Sequence, residues 1–207
     1  MRRQFLLLLL ILFLLADTVG AKLPSHPESV KPLFSGTRGI CTTWSVNEQA
    51  GYWVTAAHCI VYWADIDGEQ TRLLREDLRI ATMPATPVKV DEMNDLALLQ
   101  ADVHAPALRL GKYPAVGDEV TVYGYPGGWG APLPTWLRVS NTFFKFDNYP
   151  KTWMILDGST WPGHSGSPVL DKKGRVIAVA QAYRTDRYVG STFVSPWAVF
   201  SAFVAGL

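Results

Sequence analysis

Short strand-like runs separated by turn signals recur from residue 38 to residue 194, and the one helix-period stretch comes only after them. Runs rich in β-branched and aromatic residues fall near 38–46, 51–56, 71–82, 86–91 and 96–100. A second group falls near 119–124, 135–145, 152–156, 168–170, 175–183 and 190–194. Residues 101–120 lie between the groups, carry proline and glycine at intervals, and read as a connector. Turns are marked at Asp67-Gly68, at Pro126 to Gly128 and at Lys172 to Gly174. No βαβ alternation is visible, which argues against a parallel sheet. The closing stretch differs. Trp197, Phe200, Phe203 and Val204 recur at three and four residues, behind Ser195 as an N-cap and Pro196 in the first turn. The expectation is an all-β chain in two antiparallel halves with a short C-terminal amphipathic helix.

Composition agrees with a packed core. Hydrophobic residues make up 48% and charged ones 18% of 207 residues, which excludes a disordered chain. Formal net charge is +1, and Arg72, Arg75 and Arg79 lie among acids, so nucleic-acid binding has no electrostatic footprint.

The N-terminus has its own pattern. Met1 to Gln4 is a short basic start, Phe5 to Ala16 an unbroken apolar run, and Val19 and Ala21 occupy the small-residue positions of a cleavage site. That is the layout of a secretory signal peptide over 1–21. Twelve apolar residues are few for a bilayer span, so the alternative is an anchor through residues 5–16. Without residues 1–21 the chain has 17 basic and 17 acidic residues. The expected location is secreted or periplasmic. In that setting the only two cysteines, Cys41 and Cys59, are expected to form a disulfide, and they are too few for a structural zinc site.

Residues 161–170, "WPGHSGSPVL", carry the candidate chemistry. Gly163 to Ser167 is one residue short of G-x-S-x-G, the nucleophile elbow of α/β-hydrolases. In that fold the catalytic histidine follows the serine, and none of His26, His58, His104 and His164 follows Ser165. His164 is a poor base for Ser165, because adjacent side chains diverge on an extended backbone. "VTAAHC" supplies His58 after a strand-like run, and "MNDLALL" puts Asp95 at the head of an apolar run, where a carboxylate needs a partner. His26 and His104 receive no role.

"TAAHC", "NDLALL" and "GHSGSP", in that order, resemble the three motifs of the chymotrypsin-like serine proteases over about residues 35–205. "GHSGSPV" followed by "GRVIAV" looks closest to the bacterial glutamyl-endopeptidase-like branch. The resemblance implies two antiparallel six-stranded β-barrels with the site between them. It divides the chain into a signal peptide (1–21), a lead-in or pro-segment (22–34) and a protease domain (35–207). Within that domain the first barrel runs over about 35–105, the connector about 101–118, and the second barrel with its helix about 118–207. It further implies a secreted serine endopeptidase acting on polypeptides through a His58–Asp95–Ser165 triad and an acyl-enzyme. Backbone N–H groups of Gly163 and Ser165 would form the oxyanion hole. No metal or organic cofactor, nucleic acid or further membrane contact is required, and a monomer is expected.

Departures from that family are informative. Many animal members place an aspartate before the serine to receive a freed N-terminus; here the position is His164, so that activation switch is not expected. By resemblance the specificity pocket involves Ser159, Thr160, Ala180, Gln181 and Ala182. Thr160 matches glutamate-selecting relatives, but Ala180 stands where they carry histidine, and Ser159 offers no counter-charge for a basic residue. The pocket therefore reads as neutral, with Arg184 and Arg187 as a solvated hairpin tip and Trp161, two residues before Gly163, as a further candidate for a pocket role. The alternatives are a protease-like binding protein that is catalytically weak, and an esterase using the same triad.

Overall fold

The computed structural model describes residues 23–128, 130–147, 149–183 and 190–207, so the expected leader over 1–21, Arg184 and Arg187 lie outside the described residues. The first barrel is built from β1 (Val30–Ser35), β2 (Arg38–Asn47), β3 (Tyr52–Thr55), β6 (Leu78–Ile80), β7 (Met83–Asp91) and β8 (Leu96–Ala101), closed in the order β1-β2-β3-β8-β7-β6. The second uses β9 (Glu119–Gly124), β10 (Leu133–Lys145), β11 (Thr152–Asp157), β12 (Pro168–Leu170), β13 (Val176–Tyr183) and β14 (Ser191–Val194), closed as β10-β11-β14-β13-β12-β9. Every named ladder in both barrels is antiparallel. The helix α1 (Trp197–Val204) ends the chain. This is the chymotrypsin-like two-barrel fold that the sequence implied.

Each barrel has its own apolar filling, and a third cluster lies between them. Leu33, Trp53, Ile80 and Leu99 help fill the first barrel, and Val122, Met154, Leu156 and Ile177 the second. The third joins Trp44, Leu96 and Leu98 of the first barrel to Tyr123, Leu170 and Val179 of the second, with Phe200 and Phe203 of α1 packed in. Trp44 meets Phe200 edge-on at 5.9 Å between ring centroids, a favourable aromatic geometry. Burying a side chain of this size contributes on the order of 2–3 kcal/mol, so α1 belongs to the joint between barrels.

Three expectations need correction. The first barrel begins at Val30, because Val30 and Leu33 are core residues of β1, so residues 30–34 of the expected lead-in are strand. The run read as one strand over 71–82 is two, β5 (Glu69–Leu74) and β6, and β5 pairs with β4 (Val61–Ile66) in a separate hairpin. The chain breaks at Arg75, whose side chain is bonded to the Cys59 carbonyl and the Ser35 hydroxyl instead of standing off a strand. Ser195 does not cap α1. Its hydroxyl accepts the Val179 N–H at 2.9 Å, and extended Pro196 precedes the helix.

Candidate active site

His58 lies in a single 3-10 turn, Ala57–Cys59, directly after β3. The turn is closed by the Cys59 and Ile60 N–H groups, which reach the Ala56 and Ala57 carbonyls. The Cys41–Cys59 disulfide ties the same turn to β2. Both sulfurs lie within 4.8 Å of a His58 ring nitrogen, but in a disulfide they offer no thiolate to a metal.

Asp95 leaves a turn in which Asp91 accepts the Asn94 backbone and side-chain N–H groups at 3.0 and 2.8 Å. Its φ of 55° is left-handed, a conformation that aspartate tolerates better than most residues. That geometry aims the carboxylate back at His58 while β8 enters the core. Asp95 Oδ2 lies 2.9 Å and Oδ1 3.1 Å from His58 Nδ1, and Oδ1 also accepts the His58 backbone N–H at 2.8 Å. The carboxylate therefore fixes both the ring and its turn.

Lys151 completes this cluster and was not picked out in the sequence. Its Nζ lies 3.8 Å from Asp95 Oδ2 and 5.3 Å from the centroid of the Trp153 ring, with the side chain 7% exposed. Burial brings its pKa down to about 8, and Asp95 and then Asp91 oppose that shift. Lys151 precedes β11 at a position with no motif around it, so only the fold brings it to Asp95.

Ser165 lies in the loop between β11 and β12, which is pinned from the other barrel. Thr42 of β2 donates its hydroxyl to the Gly163 carbonyl at 2.8 Å and accepts the Tyr125 N–H at 2.9 Å. Its backbone N–H reaches the Ser165 carbonyl at 2.8 Å. Gly163 has a φ of 94°, and a Cβ there would lie 2.3 Å from the Tyr125 carbonyl oxygen, so glycine is required by conformation and by space. Among the described residues neither the Gly163 nor the Ser165 N–H is engaged by another group. The Ser165 hydroxyl donates to the Gln181 carbonyl at 3.4 Å and makes no hydrogen bond to His58. Unliganded sites of this kind often hold such contacts long.

His164 is 1% exposed. Its Nδ1 accepts the Trp161 N–H at 3.2 Å, its own N–H reaches the Trp161 carbonyl at 3.0 Å, and its carbonyl accepts from Ser167 at 2.9 Å. It is an internal staple of the loop. Burial pushes the imidazole pKa down, against smaller contributions from the backbone at Trp161 and Leu133.

The expected pocket residues are not all placed alike. Thr160 is buried, its N–H bonded to Thr192 Oγ1 at 3.0 Å, while Ser159 and Ala182 are exposed. Ala180 belongs to the second-barrel core. Gln181 turns its amide to the Asn94 and Asp95 carbonyls at 2.7 and 3.1 Å, bridging the barrels, and it also lines the cleft beside His58. A cleft of about 550 Å³ runs beside His58, lined by Trp63, Met93, Tyr149, Lys151 and Ala182 among others.

Residues 41–179, more than half of the chain, match the family described as trypsin-like peptidase domain. The chain is 33% identical over 119 residues to "Protease Do-like 2, chloroplastic" of Arabidopsis thaliana, covering 53% of this chain and 20% of that protein. It is 27% identical over 160 residues to the "Serine protease DegP homolog" of Plasmodium falciparum, covering 73% and 17%. It thus spans about a fifth of the length of the curated relatives it matches. Among solved structures it resembles the active form of the Rv3671c protease from M. tuberculosis, with a TM-score of 0.66 at 22% identity over 88% of this chain and 83% of that one. These relatives point to the chymotrypsin-like family but to Do- and DegP-type proteases, not to the glutamyl-endopeptidase branch. The buried Ala180, where that branch carries histidine, is the physical counterpart of the correction.

Proposed function

The chain belongs to the trypsin-like peptidase family, and from that premise we propose that it is a serine endopeptidase working through His58, Asp95 and Ser165. Ser165 attacks the scissile carbonyl, His58 takes its proton and returns it to the leaving amine, and Asp95 holds the ring with Nδ1–H toward itself. The acyl-enzyme on Ser165 is then hydrolysed by water that His58 deprotonates. The Gly163 and Ser165 N–H groups receive the oxyanion, and each such donor is worth about 3–4 kcal/mol where removed in related chemistry.

The observation that carries this reading is the doubly hydrogen-bonded His58–Asp95 pair, linked through Gln181 to a loop whose Gly163 and Ser165 N–H groups are both unengaged. Thr160 and Ser159, without a charged neighbour at Ala180, support a preference for an uncharged residue at the cleavage position. The basic start, apolar run and disulfide support an extracytoplasmic location. Among the described residues no helix is long and apolar enough to cross a membrane.

Cleavage profiling on a peptide library, read by mass spectrometry, tests the proposal. We expect cuts after small or medium uncharged residues, absent with Ser165→Ala. A dominant Glu, Lys or Arg at the cut, or cuts unchanged by Ser165→Ala, would overturn it. A second reading, a catalytically weak binding protein, is favoured by one contact, the Ser165 hydroxyl turned to Gln181. It predicts peptide binding with no cleavage.

A further inference from the structure

A second cleft, of about 610 Å³, opens on the other side of the nucleophile loop, at Gly163 and Pro162. The cleft beside His58 takes in Gln181 and Ala182 of β13, so it lies on the side of Ser165 marked by the Gln181 carbonyl that its hydroxyl contacts. With the acyl segment set on that side, the Gly163 cleft takes the segment that departs as the amine. Its far wall is Ser35, Thr37, Arg38 and Arg75.

No carboxylate is among the lining residues described for this cleft. Arg38 stands exposed at the start of β2 and, among the described residues, makes no hydrogen bond or ion pair to a side chain. Arg75 is held differently. Its Nε donates to the Cys59 carbonyl at 3.2 Å, its Nη1 reaches Ser35 Oγ at 3.5 Å, and its guanidinium lies 5.0 Å from the centroid of the Tyr62 ring. Its Nη2 makes no hydrogen bond among the described residues. Asp77 lies close by, but its Oδ1 accepts from the Ser35 hydroxyl at 2.7 Å and it does not line the cleft. Two guanidiniums, one pre-positioned and one unengaged, thus face a polar cleft that begins at the oxyanion glycine.

Resting on the peptidase reading above, we propose that Arg38 and Arg75 form a carboxylate-recognising subsite for the leaving side of the substrate. A guanidinium presents paired donors that match a carboxylate, and an exposed pair of this kind discriminates modestly. The carboxylate is either an acidic side chain one or two residues beyond the cut or the free C-terminus of a short leaving peptide.

The test uses matched fluorogenic peptides that differ only beyond the cut: Glu against Gln at the first and second positions, and a free against an amidated C-terminus. We expect kcat/KM to favour one carboxylate form by about three- to tenfold, with the preference shrinking as salt rises. The arm that shows the preference identifies the source. Arg38→Gln should bring the ratio toward one, and Arg75→Lys, which keeps charge but loses the fork, should reduce it. Equal rates for all pairs, or a ratio untouched in Arg38→Gln, would overturn the subsite while leaving the peptidase reading intact. No turnover of any peptide together with no fluorophosphonate labelling would overturn the peptidase reading instead.

Discussion

Burial shifts the charge state of both Lys151 and His164, and each gives a pH test. Lys151 is held near pKa 8 against 10.5 in an open chain. Below pH 8 both states carry the proton and the burial penalty is fully present. As pH rises from 8 toward 10.5 the folded state sheds its proton first, so stability should rise. A shift of this size corresponds to roughly 3 kcal/mol at its limit. Urea unfolding at pH 7.5 and 9.5 should show about 2 kcal/mol of that gain in the parent chain and not in Lys151→Met; equal gains would contradict the assignment. For His164, burial holds the folded pKa below the ordinary 6.5 of a histidine. The unfolded chain therefore binds the proton first, and stability should fall as pH drops below about 6.5. His164→Asn keeps an acceptor for the Trp161 N–H and should flatten part of that slope; an identical slope would place its origin elsewhere. At this scale a surrounding motif marked His58 and Asp95, which the structure brings within hydrogen-bond distance, and Ser165, whose role is the proposal. The sequence was silent on Lys151 and Thr42, which no local pattern distinguishes from surface or strand residues. Gln181 is named for the pocket by resemblance and does line the cleft beside His58, but no sequence pattern announced that its amide also reaches across to the Asn94 and Asp95 carbonyls.

At the level of elements, the 3-10 turn bearing His58 depends on its tether to β2. Cys41 and Cys59 are 18 residues apart, and closing such a loop removes about 3 kcal/mol worth of entropy from the unfolded chain in the chain-entropy model. Reduction should lower the melting temperature by several degrees, and an unchanged midpoint with and without reductant would show that the bridge does not hold the turn. Strand periodicity made most barrel strands legible, because β-branched runs bounded by glycine and proline are bounded the same way in space. It failed where side chains override the pattern. Val30 to Ser35 contains a proline and follows two others, so it read as a lead-in, yet Val30 and Leu33 are core. Arg75 interrupts an apparently continuous run by turning inward to Cys59.

Across the whole molecule, the site exists because two barrels meet. Thr42 on the first barrel anchors the nucleophile loop of the second through Gly163 and Tyr125. Thr42→Val keeps the shape and removes both hydrogen bonds, leaving a buried carbonyl and a buried N–H unpaired. We expect a loss of about 1–3 kcal/mol in stability together with a fall in kcat larger than any change in KM. A variant of normal kcat would mean that the loop holds its geometry without the other barrel. The sequence announced two β-rich halves and a terminal helix but not this cross-barrel bond, since residues 42 and 163 are joined only by closure of both barrels. The most direct test of the central claim, that Ser165 is a nucleophile activated by His58, is labelling with a fluorophosphonate read as intact protein mass. We expect one adduct, lost in Ser165→Ala and slowed about a thousandfold in His58→Ala. No adduct on the parent chain, or an equal one on Ser165→Ala, would contradict it.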